Sequence, residues 1–166
     1  MSELISGKII NAQINEELRN EVEHLKVKGV EPCLAVILVG EDPASAVYVR
    51  NKKRTSAELG IKSIGYDLPE TTSQEELENL VHDLNNDQSV HGILNQFPLP
   101  KGLDESRVIR TILPEKDVDG LHPLNAGLIA MGQPSFISCT PYGVLQMLKR
   151  SDISTSGKKS SSAWQK

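Results

Sequence analysis

The sequence predicts an α/β protein: a three-layer sandwich in which helices cover both faces of a mostly parallel sheet. Three observations carry that expectation. Segments with helical apolar spacing alternate with short strand-like runs and brief turns, the pattern of a parallel sheet wound on both sides. The run Cys33–Val39, Cys-Leu-Ala-Val-Ile-Leu-Val, is apolar throughout, as a strand covered on both faces requires. Hydrophobic residues make up 38% and charged residues 24% of the 166, the balance of a globular chain rather than a disordered or fibrous one.

The elements follow in order. A first helix is expected over 12–28, where Ile14, Leu18, Val22 and Leu25 recur at three- and four-residue steps and Gly29 stands at the C-terminal cap position. Pro32 separates it from the strand 33–39. Gly40-Glu-Asp-Pro43 turns the chain, and a second helix is expected over 45–59, closed by Gly60. A short strand at 62–67 leads to Thr71-Thr-Ser73, which with Glu75 and Glu76 makes a capped helix start. Leu77, Leu80, Val81 and Leu84 give that helix its buried face, and Asn85-Asn-Asp87 ends it. The next strand is expected over 90–97, stopped by Pro98 and Pro100. Then come a helix over 106–113, an irregular loop over 114–123, a short helix over 124–131, and a last helix opened by Thr140-Pro141 and running to about residue 150. In such sheets ligands bind at the strands' carboxyl ends, which points to 40–48, 96–100 and the loop after Glu115.

Composition and motifs exclude several function classes. No apolar run approaches the ~18–20 residues that span a bilayer. Residues 1–7 carry Glu3 and lack a basic start, so neither secretion nor membrane association is expected, and the location expected is the cytoplasm. A net charge of -4 argues against nucleic acid as a partner. Cys33 and Cys139 form no CxxC motif, and His24, His82, His91 and His122 show no ligand spacing, so no metal is expected. There is no GxGxxG and no GxxxxGK[ST], hence no cofactor-binding residue for a dinucleotide in this chain.

Three segments remain as candidates. Tyr48 and Lys52 lie four apart on the second helix and share a face, so a flat ligand can stack on the ring while the ammonium relays a proton; alternatively, with Arg50, Lys53 and Arg54, they belong to a basic surface helix. Gln96 is a polar amide at the end of a buried strand, able to orient a charged group or to read a ligand edge, or simply a satisfied strand-end glutamine. Asp117 and Asp119 in Pro114-Glu-Lys-Asp-Val-Asp-Gly120 suit a cation, an aminopyrimidine-like ring edge, or a solvated turn. Cys139 has no evident base partner.

Taken together, Tyr48-Val-Arg-Asn-Lys52, Gly92-Ile-Leu-Asn-Gln-Phe-Pro-Leu-Pro100, Pro114-Glu-Lys-Asp-Val-Asp-Gly-Leu-His-Pro123 and Cys139-Thr-Pro-Tyr-Gly143 resemble the methylenetetrahydrofolate dehydrogenase/cyclohydrolase family, in the same order and spacing across 5–153. The resemblance implies a bifunctional enzyme of one-carbon metabolism. It would oxidise 5,10-methylenetetrahydrofolate with NADP, or NAD in some members, hydrolyse the 5,10-methenyl product to 10-formyltetrahydrofolate, and form a homodimer. It also implies roles: Lys52 as the acid–base residue, Gln96 orienting it, Tyr48 stacking on the folate, and Asp119 gripping the pterin edge. Lys52, Gln96 and Asp119 form the implied catalytic set; Tyr48, Val49, Arg50, Asn51, Asn95 and Phe97 complete the implied substrate site. Asn95 stands where the family usually has an aliphatic residue, and Ser138 where proline is common.

The resemblance further implies a Rossmann domain after the last helix. Residues 1–150 are thus expected to be the folate-binding catalytic domain, and 151–166, Ser- and Lys-rich and holding Trp164, a disordered or out-of-frame tail. Ser-Ser-Ser-Ala-Trp-Gln-Lys, encoded AGT AGT AGT GCT TGG CAG AAG and read one base later, gives Val-Val-Val-Leu-Gly-Arg, a strand entering a glycine turn. A single-base insertion in the Lys158–Lys159 codons is the expectation that follows, and with it loss of dehydrogenase activity. The rival expectation is a non-catalytic folate-binding or dimerisation module.

Overall fold

The computed structural model describes residues 4–157. Three strands, β1 (Cys33–Val39), β2 (Lys62–Leu68) and β3 (Gly92–Asn95), form a parallel sheet in the order β2-β1-β3. The apolar run β1 is the central strand, pairing Cys33 with Lys62 on one side and Leu34 with Gly92 on the other. Six α-helices surround it among the described residues: α1 (Gly7–Val27), α2 (Pro43–Glu58), α3 (Gln74–Asn86), α4 (Glu105–Thr111), α5 (Pro123–Ala130) and α6 (Cys139–Arg150).

Strand alternation divides the core in two. Ala35, Ile37, Val39 and Ile93 face Leu77, Val81 and Leu84 of α3 and Val108 of α4. Val36, Leu38 and Leu94 face Val49 of α2. The expected three layers are therefore present. α1 lies beside the end of α2, with the Arg19 guanidinium donating to the Glu58 carbonyl, and Arg150 of α6 grips Glu17 of α1 through two bonds of 2.7 and 2.6 Å.

The boundaries shift for local reasons. α1 starts five residues before the expected position, because Ser6 caps it by accepting from the Ile9 N–H. α2 opens at Pro43, where Asp42 accepts from Ser45 N–H at 2.7 Å. The expected box at Ser73 and Glu76 forms in both directions. β3 is only four residues long rather than 90–97: its last ladder bond is Gln96 N–H to the Ile37 carbonyl, and the Phe97–Pro98 peptide is cis. Within the expected irregular loop, Pro114–Lys116 makes a 3₁₀ turn. Residues 152–157 are exposed; the rest of the expected tail, with its shifted-frame reading, lies outside the described residues.

Candidate active site

All three strands run parallel, so their carboxyl ends open on one edge of the molecule, where α2, the turn after β3 and the loop 114–123 converge. Lys52 lies on the flank of α2 that faces β3, and its Nζ donates to Gln96 Oε1 at 3.2 Å. Gln96 is fixed from behind, since its Nε2 donates to the Phe97 carbonyl at 2.8 Å and so turns Oε1 toward the lysine.

The loop 114–123 delivers Asp119 to the same place through a division of labour among adjacent residues. Lys116 turns back, and its Nζ donates to the carbonyls of Leu84, Asn85 and Asp87 at 2.9, 2.8 and 2.8 Å, closing the end of α3. Asp117, 3% exposed, accepts from Leu121 N–H, His122 N–H and Asn125 Nδ2, the last two at 2.8 Å, and bridges to Ile93 of β3. Those donors fill its carboxylate, so the cation reading of Asp117 and the reading of a solvated turn both give way to an internal latch. Gly120, at φ +63, brings the loop under the backbone of 136–138: an added Cβ would sit 2.8 Å from the Phe136 carbonyl oxygen and from Ser138 N. Asp119 is then left half-buried and free to face the cleft. Burial pushes its carboxyl up, the Lys52 ammonium pulls it down, and the Asp117 charge adds to the rise.

Cys139 is the partner the sequence did not reveal. Its Sγ donates to Asp119 Oδ1 at 3.8 Å and to the Val118 carbonyl at 3.9 Å. Crowding by neighbouring atoms and then the Asp119 carboxylate push the thiol up, which opposes a nucleophilic role. Twenty residues separate the two; the resemblance picked out Cys139-Thr-Pro-Tyr-Gly143 as a segment, but nothing in it paired the thiol with Asp119.

The other implied site residues are placed as follows. Tyr48 stands one turn before Lys52 and is 63% exposed. Asn51 is exposed on α2. Val49, 3% exposed, packs in the core with Val36, Leu38 and Leu94, so its side chain does not reach the cleft. Arg50 turns to the other flank of α2, where with Lys53 and Asp67 it lines a separate cleft of about 400 Å³; Lys53 pairs with Asp67 at 3.6 Å. Asn95 alternates with Leu94 and so lies on the sheet face opposite Gln96, 2% exposed. Among the implied residues, the structure therefore brings Lys52, Gln96, Asp119 and the Phe97 carbonyl together. Val49, Arg50 and Asn95 lie away from them.

The sequence pattern of the family described as tetrahydrofolate dehydrogenase/cyclohydrolase, catalytic domain, matches residues 5–119. The chain belongs to this family. The match takes in Tyr48, Lys52, Gln96 and Asp119. Two relatives, each named bifunctional protein FolD, are 54% identical over 158 residues (Agathobacter rectalis) and 56% identical over 149 (Caldicellulosiruptor saccharolyticus). They cover 95% and 88% of this chain, which in turn spans 57% and 53% of theirs. The FolD crystal structure from Campylobacter jejuni superposes with a TM-score of 0.90 at 47% identity, over 91% of this chain and 54% of that one. The Trypanosoma brucei FolD, solved with NADP cofactor and an inhibitor, gives 0.88 at 34% identity over 95% of this chain and 54% of that one. The chain thus spans about half the length of the family members it matches.

Proposed function

We propose that residues 1–150 are the folate-binding, proton-transferring domain of a bifunctional 5,10-methylenetetrahydrofolate dehydrogenase and 5,10-methenyltetrahydrofolate cyclohydrolase. The observation that carries the reading is the Lys52–Gln96 hydrogen bond, with a half-buried Asp119 in electrostatic reach of the ammonium, at the carboxyl edge of a parallel sheet. In the hydrolysis, water adds to the methenyl carbon between N5 and N10 of the folate and gives up a proton. The bond to N5 then breaks as N5 takes a proton, the hydroxyl on the former methenyl carbon gives its own proton to solvent, and the formyl group stays on N10. Lys52 Nζ, aimed by Gln96, takes and returns the proton; Asp119 accepts from the N–H groups on the ring edge, and the Tyr48 face stacks on the ring.

Oxidation of the methylene compound needs a hydride acceptor. The sequence contains neither GxGxxG nor GxxxxGK[ST], so this reading gives NADP no binding residue within the 166. The same reading takes the protein to be a cytoplasmic homodimer. Exposed apolar side chains such as Met131, Tyr142 and Val144 are available to such a contact, and no helix among the described residues is long and apolar enough to cross a membrane.

The test is hydrolysis of 5,10-methenyltetrahydrofolate by the chain and by Lys52→Met, with folate binding measured in parallel. Binding retained and hydrolysis lowered by about 10²-fold or more in the variant is expected, from the usual contribution of a positioned acid–base group. Equal hydrolysis rates overturn the reading, and binding without hydrolysis in both proteins marks a non-catalytic folate-binding module instead.

A further inference from the structure

We infer that Asn95 makes the carboxyl end of β3 a labile hinge beneath the Lys52–Gln96 pair, one that opens locally without global unfolding. The inference goes beyond the folate reading and does not depend on which ligand the cleft takes. Asn95 is 2% exposed, and neither its amide nitrogen nor its amide oxygen has a hydrogen-bond partner. Leaving such a group unpaired in the interior disfavours the closed form by roughly 5- to 150-fold. Buried polar side chains in folded proteins are nearly always paired, so an orphan amide marks a place where the structure is under tension.

The position of Asn95 decides how that tension is relieved. The ladder between β1 and β3 runs from Leu34↔Gly92 to Ile37↔Asn95, so the residue occupies the last paired position of a four-residue strand. Beyond it a single rung remains, Gln96 N–H to the Ile37 carbonyl at 2.9 Å. An orphan amide at the centre of β1 could reach water only by unfolding the sheet. At Asn95, releasing one rung exposes the amide to solvent, which satisfies both of its ends. The same motion withdraws Gln96 Oε1 from Lys52 Nζ, because the two residues are consecutive. The open form is therefore one in which the lysine has lost its orienting partner while the core beneath β1 stays packed.

Native-state amide exchange, read residue by residue in the chain and in Asn95→Val, tests this. In the unaltered chain the Gln96 amide is expected to exchange at least about tenfold faster than the amides of β1, through an opening insensitive to denaturant; in Asn95→Val that gap should shrink by about tenfold. Exchange of Gln96 at the rate of the β1 amides in the unaltered chain overturns the hinge. So does a gap that persists in Asn95→Val, since the strand end would then fray for another reason. If Asn95→Val does not fold, Asn95→Leu carries the same readout, and failure of both to fold overturns the inference, because the amide would then be a required partner.

Discussion

At Asp119 two influences compete: burial favours the neutral carboxyl, and Lys52 favours the charged one, with burial the stronger. The consequence for stability has a definite sign. A carboxyl whose value in the folded chain lies above its ordinary value near ~3.9 keeps its proton in the fold after the unfolded chain has lost it. Asp119's contribution to stability therefore falls as pH rises from about 4 through the raised value, and above that its full cost remains. Asp119→Asn keeps the shape and removes the charge, so its thermal stability at pH 7 is expected to equal or exceed that of the unaltered chain, and its advantage should shrink as pH falls toward 4. Melting curves between pH 4 and 8 check this, and a variant that is less stable at every pH contradicts it. Asn95→Val is likewise expected to raise Tm, because it replaces an orphan amide with buried methyl groups.

Between neighbouring elements, Lys116 is the tie with the most partners: one ammonium serves three carbonyls at the end of α3 and joins that helix to the loop bearing Asp119. Lys116→Met keeps the stem and removes the donors, and should cost about 2 kcal/mol, a fall in Tm of about 4–8 °C. Glu115→Gln, one residue away and exposed, should change Tm little, and a matched fall in both would mean that the loop's charge rather than the cap matters. The elements themselves were largely legible, because apolar spacing at 3.6 or continuous apolar runs report directly on burial. The starts of α1 and α2 were not, because a cap is a side-chain bond to a particular N–H and leaves no periodic trace. The loop 114–123 read as three carboxylates and a lysine, whereas in space Lys116 and Asp117 are turned inward to build and only Asp119 is offered to the cleft. That division depends on the end of α3, some 30 residues earlier, which no local pattern contains.

For the molecule as a whole, the candidate site is a meeting of three distant segments over one sheet edge, and resemblance to a family found them where spacing left each ambiguous. It also carried over Val49 and Arg50, whose directions on α2 only the packed helix reveals. With neither GxGxxG nor GxxxxGK[ST] in the sequence, the purified chain is expected to give no NADP reduction with 5,10-methylenetetrahydrofolate, and clear turnover in that absorbance assay would refute the reading. The seam at Gly120 has a bearing on how such chains can drift. What lies against it from 136–138 is main chain, including the Ser138 nitrogen, an atom that serine and proline both possess. Serine in a place where proline is common therefore leaves this contact intact. The contact itself asks nothing of the side chains along that strip, while at Gly120 a single methyl group would wedge apart the two walls that bring Asp119 and Cys139 together.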